Sequence, residues 1–191
     1  MGVLILGLVL FLGVHSLSIV ASGGRDRLVA RLGEQPFKGL YSLASLVGLI
    51  LIIWGYGLAR QEPVVVYLPP AWLRHLALLL LLPVFPLLLA TYLPGRIQRA
   101  TKHPTLIAVK LWALAHLLAN GMLADVVLFG AFLAWAVAER ISLKRRTPRA
   151  VPALPASPRN DLIAVVGGLL VYGAFVVWLH RVLIGVSPVP M

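Results

Sequence analysis

Apolar residues run in long blocks along this chain, and polar residues collect in the short stretches between them. Six blocks stand out: about Val3–Val20, Gly39–Leu58, Leu76–Leu93, Thr105–Ala119, Met122–Ala138 and Leu162–Leu179. Most are apolar on all sides, and lipid offers backbone N–H and C=O groups no partner, so each block predicts a transmembrane helix. At 1.5 Å per residue, roughly 18–20 residues cross the hydrocarbon core. The fourth and fifth blocks are joined by Asn120-Gly121 and predict a short helical hairpin over 105–138, with a left-handed residue in its turn. Pro83 and Pro86 lie inside the third block and predict a kink there. The expected fold is all-α, a polytopic bundle of about six helices forming one membrane domain over 1–191. A Pro-rich loop at 147–160, with Pro148, Pro152, Pro155 and Pro158, is expected to be extended and flexible. Ala44 and Gly48 would let helices approach closely, and Gly167-Gly168 reads as another close-packing point.

Composition agrees with a lipid solvent: 60% of residues are hydrophobic, 12% are charged and mean hydropathy is +0.95. The net charge of +11 does not mean nucleic acid, because Lys and Arg sit between apolar blocks. The first, third and fifth loops hold thirteen of them, whereas the second loop and the C-terminal tail hold three. The positive-inside rule then puts the odd loops in the cytoplasm and both termini outside it. Val20-Ala21-Ser22 resembles a cleavage site, but the first block lacks a basic flank and carries His15, so it is read as a membrane helix. With no cysteine, the chain has no disulfide, thiolate metal site, iron–sulfur cluster or cysteine nucleophile. No phosphate-cradling glycine loop, Ser–His–Asp arrangement or metal-spaced acidic cluster occurs.

The candidate chemistry is histidine at membrane depth. His116 lies in Leu111-Trp112-Ala113-Leu114-Ala115-His116, and His15 lies in the first block. An ionisable ring there is costly and asks for a reason. On a helical wheel Thr105, Val109, Trp112 and His116 share a face, and Ala113 and Ala119 flank His116 at three residues on either side. Small neighbours leave room for a flat macrocycle beside an axial imidazole. Helical rise places the two histidines ~7 Å apart in depth, which neither forbids nor demands a shared iron. An intramembrane histidine can equally bond a neighbouring helix and serve packing, and residue chemistry leaves both readings open. His103-Pro104 opens the fourth block, where Pro is well placed and His103 is a general acid/base, a nucleotide contact or a solvated residue. Asp125 is expected to cap the fifth helix, and Glu139 to pair with Arg140 at the surface. Tyr67, Trp72, Tyr92 and Trp178 read as interfacial belts.

Taken in order, Gly13-Val14-His15-Ser16, Lys102-His103-Pro104, the run to His116 and Asn120-Gly121 resemble the NnrU family of bacterial membrane proteins over nearly the whole chain. That resemblance implies an inner-membrane protein linked to denitrification and nitric oxide metabolism. The chain is also similar to the 15-cis-zeta-carotene isomerase of plants and cyanobacteria, whose haem b is held by histidines, one in a Trp-Cys-Leu-Ala-His run. This similarity implies haem b as cofactor, His116 and His15 as axial ligands of its iron, and Trp112 and Ala113 as neighbours. It also implies a redox-type isomerase or oxidoreductase acting on a lipid-soluble substrate. Ala113 stands where the isomerase has Cys, so no role of that thiol carries over. A looser similarity is to isoprenylcysteine carboxyl methyltransferases, through Lys102-His103-Pro104 in place of Arg-His-Pro. It implies S-adenosylmethionine as an alternative cofactor, although Leu106 and Ala108 replace the expected tyrosine and glycine. A non-enzymatic accessory role in assembling a respiratory complex is the third expectation.

Overall fold

The architecture follows from where helix formation is interrupted. In the computed structural model, residues 1–146 and 151–189 are described. Helix α1 (Gly2–Val20) is followed by α2 (Ser22–Leu32) and α3 (Glu34–Ala59). Gly33 separates the last two with φ +86°, a backbone state that favours glycine. Next come α4 (Leu73–Leu81) and α5 (Val84–Tyr92), α6 (Arg96–Thr101), α7 (Pro104–Ala119) and α8 (Leu123–Ser142). The last span starts as α9 (Asn160–Ala174), passes through a π-helical turn (Phe175–Leu179) and ends as α10 (His180–Ile184). The only β-type pairing among the described residues is an isolated bridge, Val65 to Met122, so the expected all-α fold is the one observed.

Four helical stretches are long and apolar enough to cross a membrane: Gly2–Val20, Glu34–Ala59, Leu73–Tyr92 and Asn160–Ile184. The third includes the expected kink, because Pro83 divides α4 from α5 while Pro86 sits in the first turn of α5, where its missing N–H costs little. Helix α7 has 16 residues. Helix α8 has 20 residues but carries Asp125, Glu139 and Arg140. The outward faces of the spans are apolar; Leu46, Ile50, Ile53 and Trp54 on α3 are each more than half exposed. Such faces suit lipid as solvent, and the chain has the helices of a membrane-embedded protein.

The chain divides into two compact units. The first contains Met1–Leu68 and Asn120–Arg146. Its centre is the pairing of α1 with α3, and α8 packs on α1. Glycines set that pairing: a Cβ on Gly7 would meet Ile52 N at 2.6 Å, one on Gly48 would meet Phe11 N at 2.8 Å, and one on Gly55 would strike the backbone of Leu4. The backbones touch because no side chain stands between them.

The second unit contains Pro69–Ala119 and the described residues after 150. Here α5 packs on α7 and α9, and α7 also packs on α4. Val84, Leu87 and Ala108 form one buried cluster, and Ala90, Leu93 and Ala164 another. Gly168 is the close-packing point expected of the Gly167-Gly168 pair, since a Cβ there would strike Pro86. Thr147–Ala150, with Pro148 and Arg149, lie outside the described residues. The rest of the Pro-rich loop is irregular but tied down: Leu154 N–H donates to Tyr92 O (3.0 Å), and Asn160 Nδ2 donates to Pro94 O (2.9 Å) and Pro155 O (3.0 Å).

Candidate functional site

His116 sits in the second unit, half-buried near the end of α7. Its Nδ1 lies 2.8 Å from the carbonyl of Trp112, one turn earlier, and the two rings are 5.4 Å apart. A carbonyl only accepts, so Nδ1 carries the proton and the lone pair of the neutral ring is on Nε2. Trp112 packs beside the Val84–Leu87–Ala108 cluster. Ala113 is fully covered by protein, so its small side chain serves helix packing.

His15 sits in the first unit, near the end of α1, and repeats the arrangement. Its Nδ1 donates to Phe11 O at 2.7 Å, which again leaves the lone pair on Nε2. Its ring stacks on Phe11 (4.3 Å), tilts against Tyr41 (5.3 Å) and meets Trp135 edge-on (6.1 Å). Phe11 lies one turn earlier on the same helix, whereas Tyr41 and Trp135 come from α3 and α8, which only folding brings to α1. Trp135 Nε1 and Glu139 Oε2, one turn apart on α8, are buried without a hydrogen-bond partner among the described residues. The other oxygen of Glu139 pairs with Arg146, and the two side chains are only 14% and 17% exposed. The expected surface pair with Arg140 is thus replaced by a mostly buried pair with Arg146, seven residues on, which also bonds Ser142 through Nε (3.0 Å).

His103 lies just before Pro104, the first residue of α7, as expected of a helix entry. Its carbonyl accepts from Leu106 N at 3.1 Å. Lys102, immediately before it, has φ +60°, a left-handed φ that ends α6 and turns the chain into α7. Thr91 Oγ1 on α5 and Thr105 Oγ1 in the first turn of α7 are 2.7 Å apart, and Gln98 Nε2 donates to Thr91 O. The start of α6 is held by Asp161, whose carboxylate accepts from Arg96 N (2.8 Å) and Ile97 N (3.0 Å).

At the start of α8, Asp125 is buried and accepts from Met122 N (3.2 Å), so it caps the helix as expected. Its other oxygen accepts from Tyr56 OH at 2.5 Å, a partner on α3 that local sequence does not indicate. Gly121 does not take the left-handed conformation anticipated for the Asn-Gly turn. Among the described residues positive φ occurs at Gly33, Lys102 and Gly185. Gly121 is needed for space: a Cβ would strike the carbonyl of Tyr67, whose own N–H, with that of Val66, donates to Gly121 O. Tyr67 OH donates to Asn120 O (2.8 Å), and burial pushes its phenol pKa up, helped by the charge of Asp125. No group of three or more His, Asp or Glu side chains poised for a metal ion occurs among the described residues.

Fold and residues together define a helical membrane protein with tautomer-fixed histidines in two of its apolar helices. The chain belongs to the NnrU family: the model of the NnrU protein matches residues 3–188, nearly its whole length. No curated protein and no solved structure matches it.

Proposed function

We propose that this protein binds haem b within the membrane, with His116 as an axial ligand and His15 as the second candidate ligand. The observation that carries this reading is the Nδ1–H bond each histidine gives to the carbonyl four residues earlier. A ligating histidine commonly ties down one ring nitrogen so that the other presents its lone pair to the metal. His116 also keeps the Trp112-to-His116 spacing that resembles the isomerase run. Haem supplies one-electron chemistry and binding of small gases such as nitric oxide. The protein's own part is to fix the two tautomers and to surround His15 with the aromatic rings of Phe11, Tyr41 and Trp135.

Family membership supports a role in nitric oxide and denitrification metabolism at the bacterial inner membrane. A ligand at membrane depth is reached most easily from lipid. The activity proposed is therefore a redox-type isomerase or oxidoreductase acting on a lipid-soluble substrate. The charge distribution of the loops supports termini outside the cytoplasm.

The test is the visible spectrum of protein purified in mild detergent after expression with ample haem. A stoichiometric Soret band is expected, lost in His116→Ala and shifted or weakened in His15→Ala. Helical protein lacking the band would overturn the proposal. So would S-adenosylmethionine binding that His103→Ala abolishes, which would point to methyl transfer.

A further inference from the structure

The bend between α1 and α2 carries a feature that the histidines do not explain. Helix α1 has 19 residues, so it is ~28 Å long and spans a hydrocarbon core of ~30 Å. The residue that follows, Ala21, therefore stands at the level of the lipid headgroups. At this bend lies a groove of about 420 Å³, lined by Arg25, Arg27 and Arg31 together with apolar Leu17, Ala21 and Leu28.

The three arginines are not equivalent. Arg25 is engaged: it pairs with Asp26 (3.3 Å) and lies over the ring of Phe37 (5.0 Å). Arg27 and Arg31 are exposed and form no ion pair among the described residues. They are four residues apart, on one face of α2, where like charges repel and destabilise the helix. An anion between them would turn that repulsion into attraction. Planar guanidinium forks match phosphate oxygens bidentately, and phosphate is carried by the headgroups of anionic phospholipids at a membrane surface.

We propose that this groove binds the phosphate of an anionic phospholipid, with Arg27 and Arg31 on the headgroup and Leu17, Ala21 and Leu28 against the glycerol and the first acyl carbons. The apolar residues in the lining and the depth favour a lipid over a free anion, and basic residues near a membrane surface are attracted to anionic lipid.

The full chain, purified in detergent, is titrated with phosphatidylglycerol, with phosphatidylcholine of the same acyl chains, and with inorganic phosphate. Binding is read by native mass spectrometry and by thermal stability. Phosphatidylglycerol is expected to bind and raise the melting temperature well beyond phosphatidylcholine. Arg27→Gln/Arg31→Gln should weaken that binding about 25-fold, and each single substitution about fivefold. Arg74→Gln/Arg181→Gln, with the same loss of charge elsewhere, should change it little. Three outcomes overturn the proposal: equal binding of the two lipids, unchanged binding in the double variant, or inorganic phosphate alone reproducing the effect, which would make the ligand a free anion. Should the double variant fail to fold, the singles decide: binding unchanged in both refutes the site, and a fivefold loss in each upholds it.

Discussion

Asp125 shows how one side chain can serve two elements. Its carboxylate caps α8 through Met122 N and accepts the Tyr56 hydroxyl from α3. A cap of this kind contributes about 1 kcal/mol, and leaving the half-buried Tyr56 hydroxyl without its partner costs about 1–2 kcal/mol. Asp125→Ala should therefore destabilise the protein by about 2–3 kcal/mol, measured by thermal or denaturant unfolding in detergent. Tyr56→Phe should cost only about 1 kcal/mol, because Asp125 keeps its bond to Met122. The two losses should not add in the double variant, since both act through one carboxylate; strict additivity would contradict the bond. The capping role was legible in the sequence, because it needs only a carboxylate a few residues into a helix. The Tyr56 bond was not, because its partners are 69 residues apart. Gly121 makes the same point from the other side. An Asn-Gly pair predicts a left-handed turn, yet this glycine is required by a carbonyl from a distant segment.

Among the elements, α1 and α3 form the closest pair, and their seam is built from the absence of side chains. Lipid supplies no hydrophobic force between helices, so backbone proximity and dispersion must hold them. Gly55→Ala places a methyl against the backbone of Leu4, which cannot move aside as a flexible side chain would. The expected loss is about 1–3 kcal/mol, and Gly57→Ala, which meets open space on the same helix, should have little effect by the same unfolding measurement. A larger loss at Gly57 than at Gly55 would exclude the seam. Several elements departed from their expected form for identifiable reasons. The polar stretch after the first block is not a loop but α2, which the run of arginines concealed. The last block contains a π-helical turn at Phe175–Leu179, where Phe175 packs on Phe85 at 5.0 Å, a contact no local pattern encodes. Asp161, at the start of α9, holds the start of α6 from 64 residues away, a contact no local pattern encodes.

For the whole molecule, the number of crossings sets the topology. Four helical stretches cross by length and composition alone, and six follow if α7 and α8 also cross. Both counts leave the termini on one side, so a terminal reporter does not separate them. The turn at Asn120 does: six crossings put it on the side of the termini, four on the opposite side. Because the chain has no cysteine, Asn120→Cys is a single labelling site without further engineering. In intact spheroplasts it is expected to react with a membrane-impermeant maleimide, as six crossings and outward termini require; labelling only after permeabilisation would refute that topology.

The amino-acid sequence by itself determined the helical class, the membrane as solvent, the kink at Pro83, the helix start at Pro104 and the two histidines worth testing. These depend on hydropathy, proline and local spacing, quantities that neighbouring residues carry without reference to the fold. The tertiary structure decided the partners: Tyr56 for Asp125, Arg146 for Glu139, Tyr41 and Trp135 around His15, the Tyr67 carbonyl against Gly121, and the arginine groove at the end of α1. Each of these is a meeting of groups whose proximity depends on how helices pack and where the chain bends. In lipid that packing is set by small residues and close backbone contact, a signal much weaker in sequence than the apolar blocks themselves.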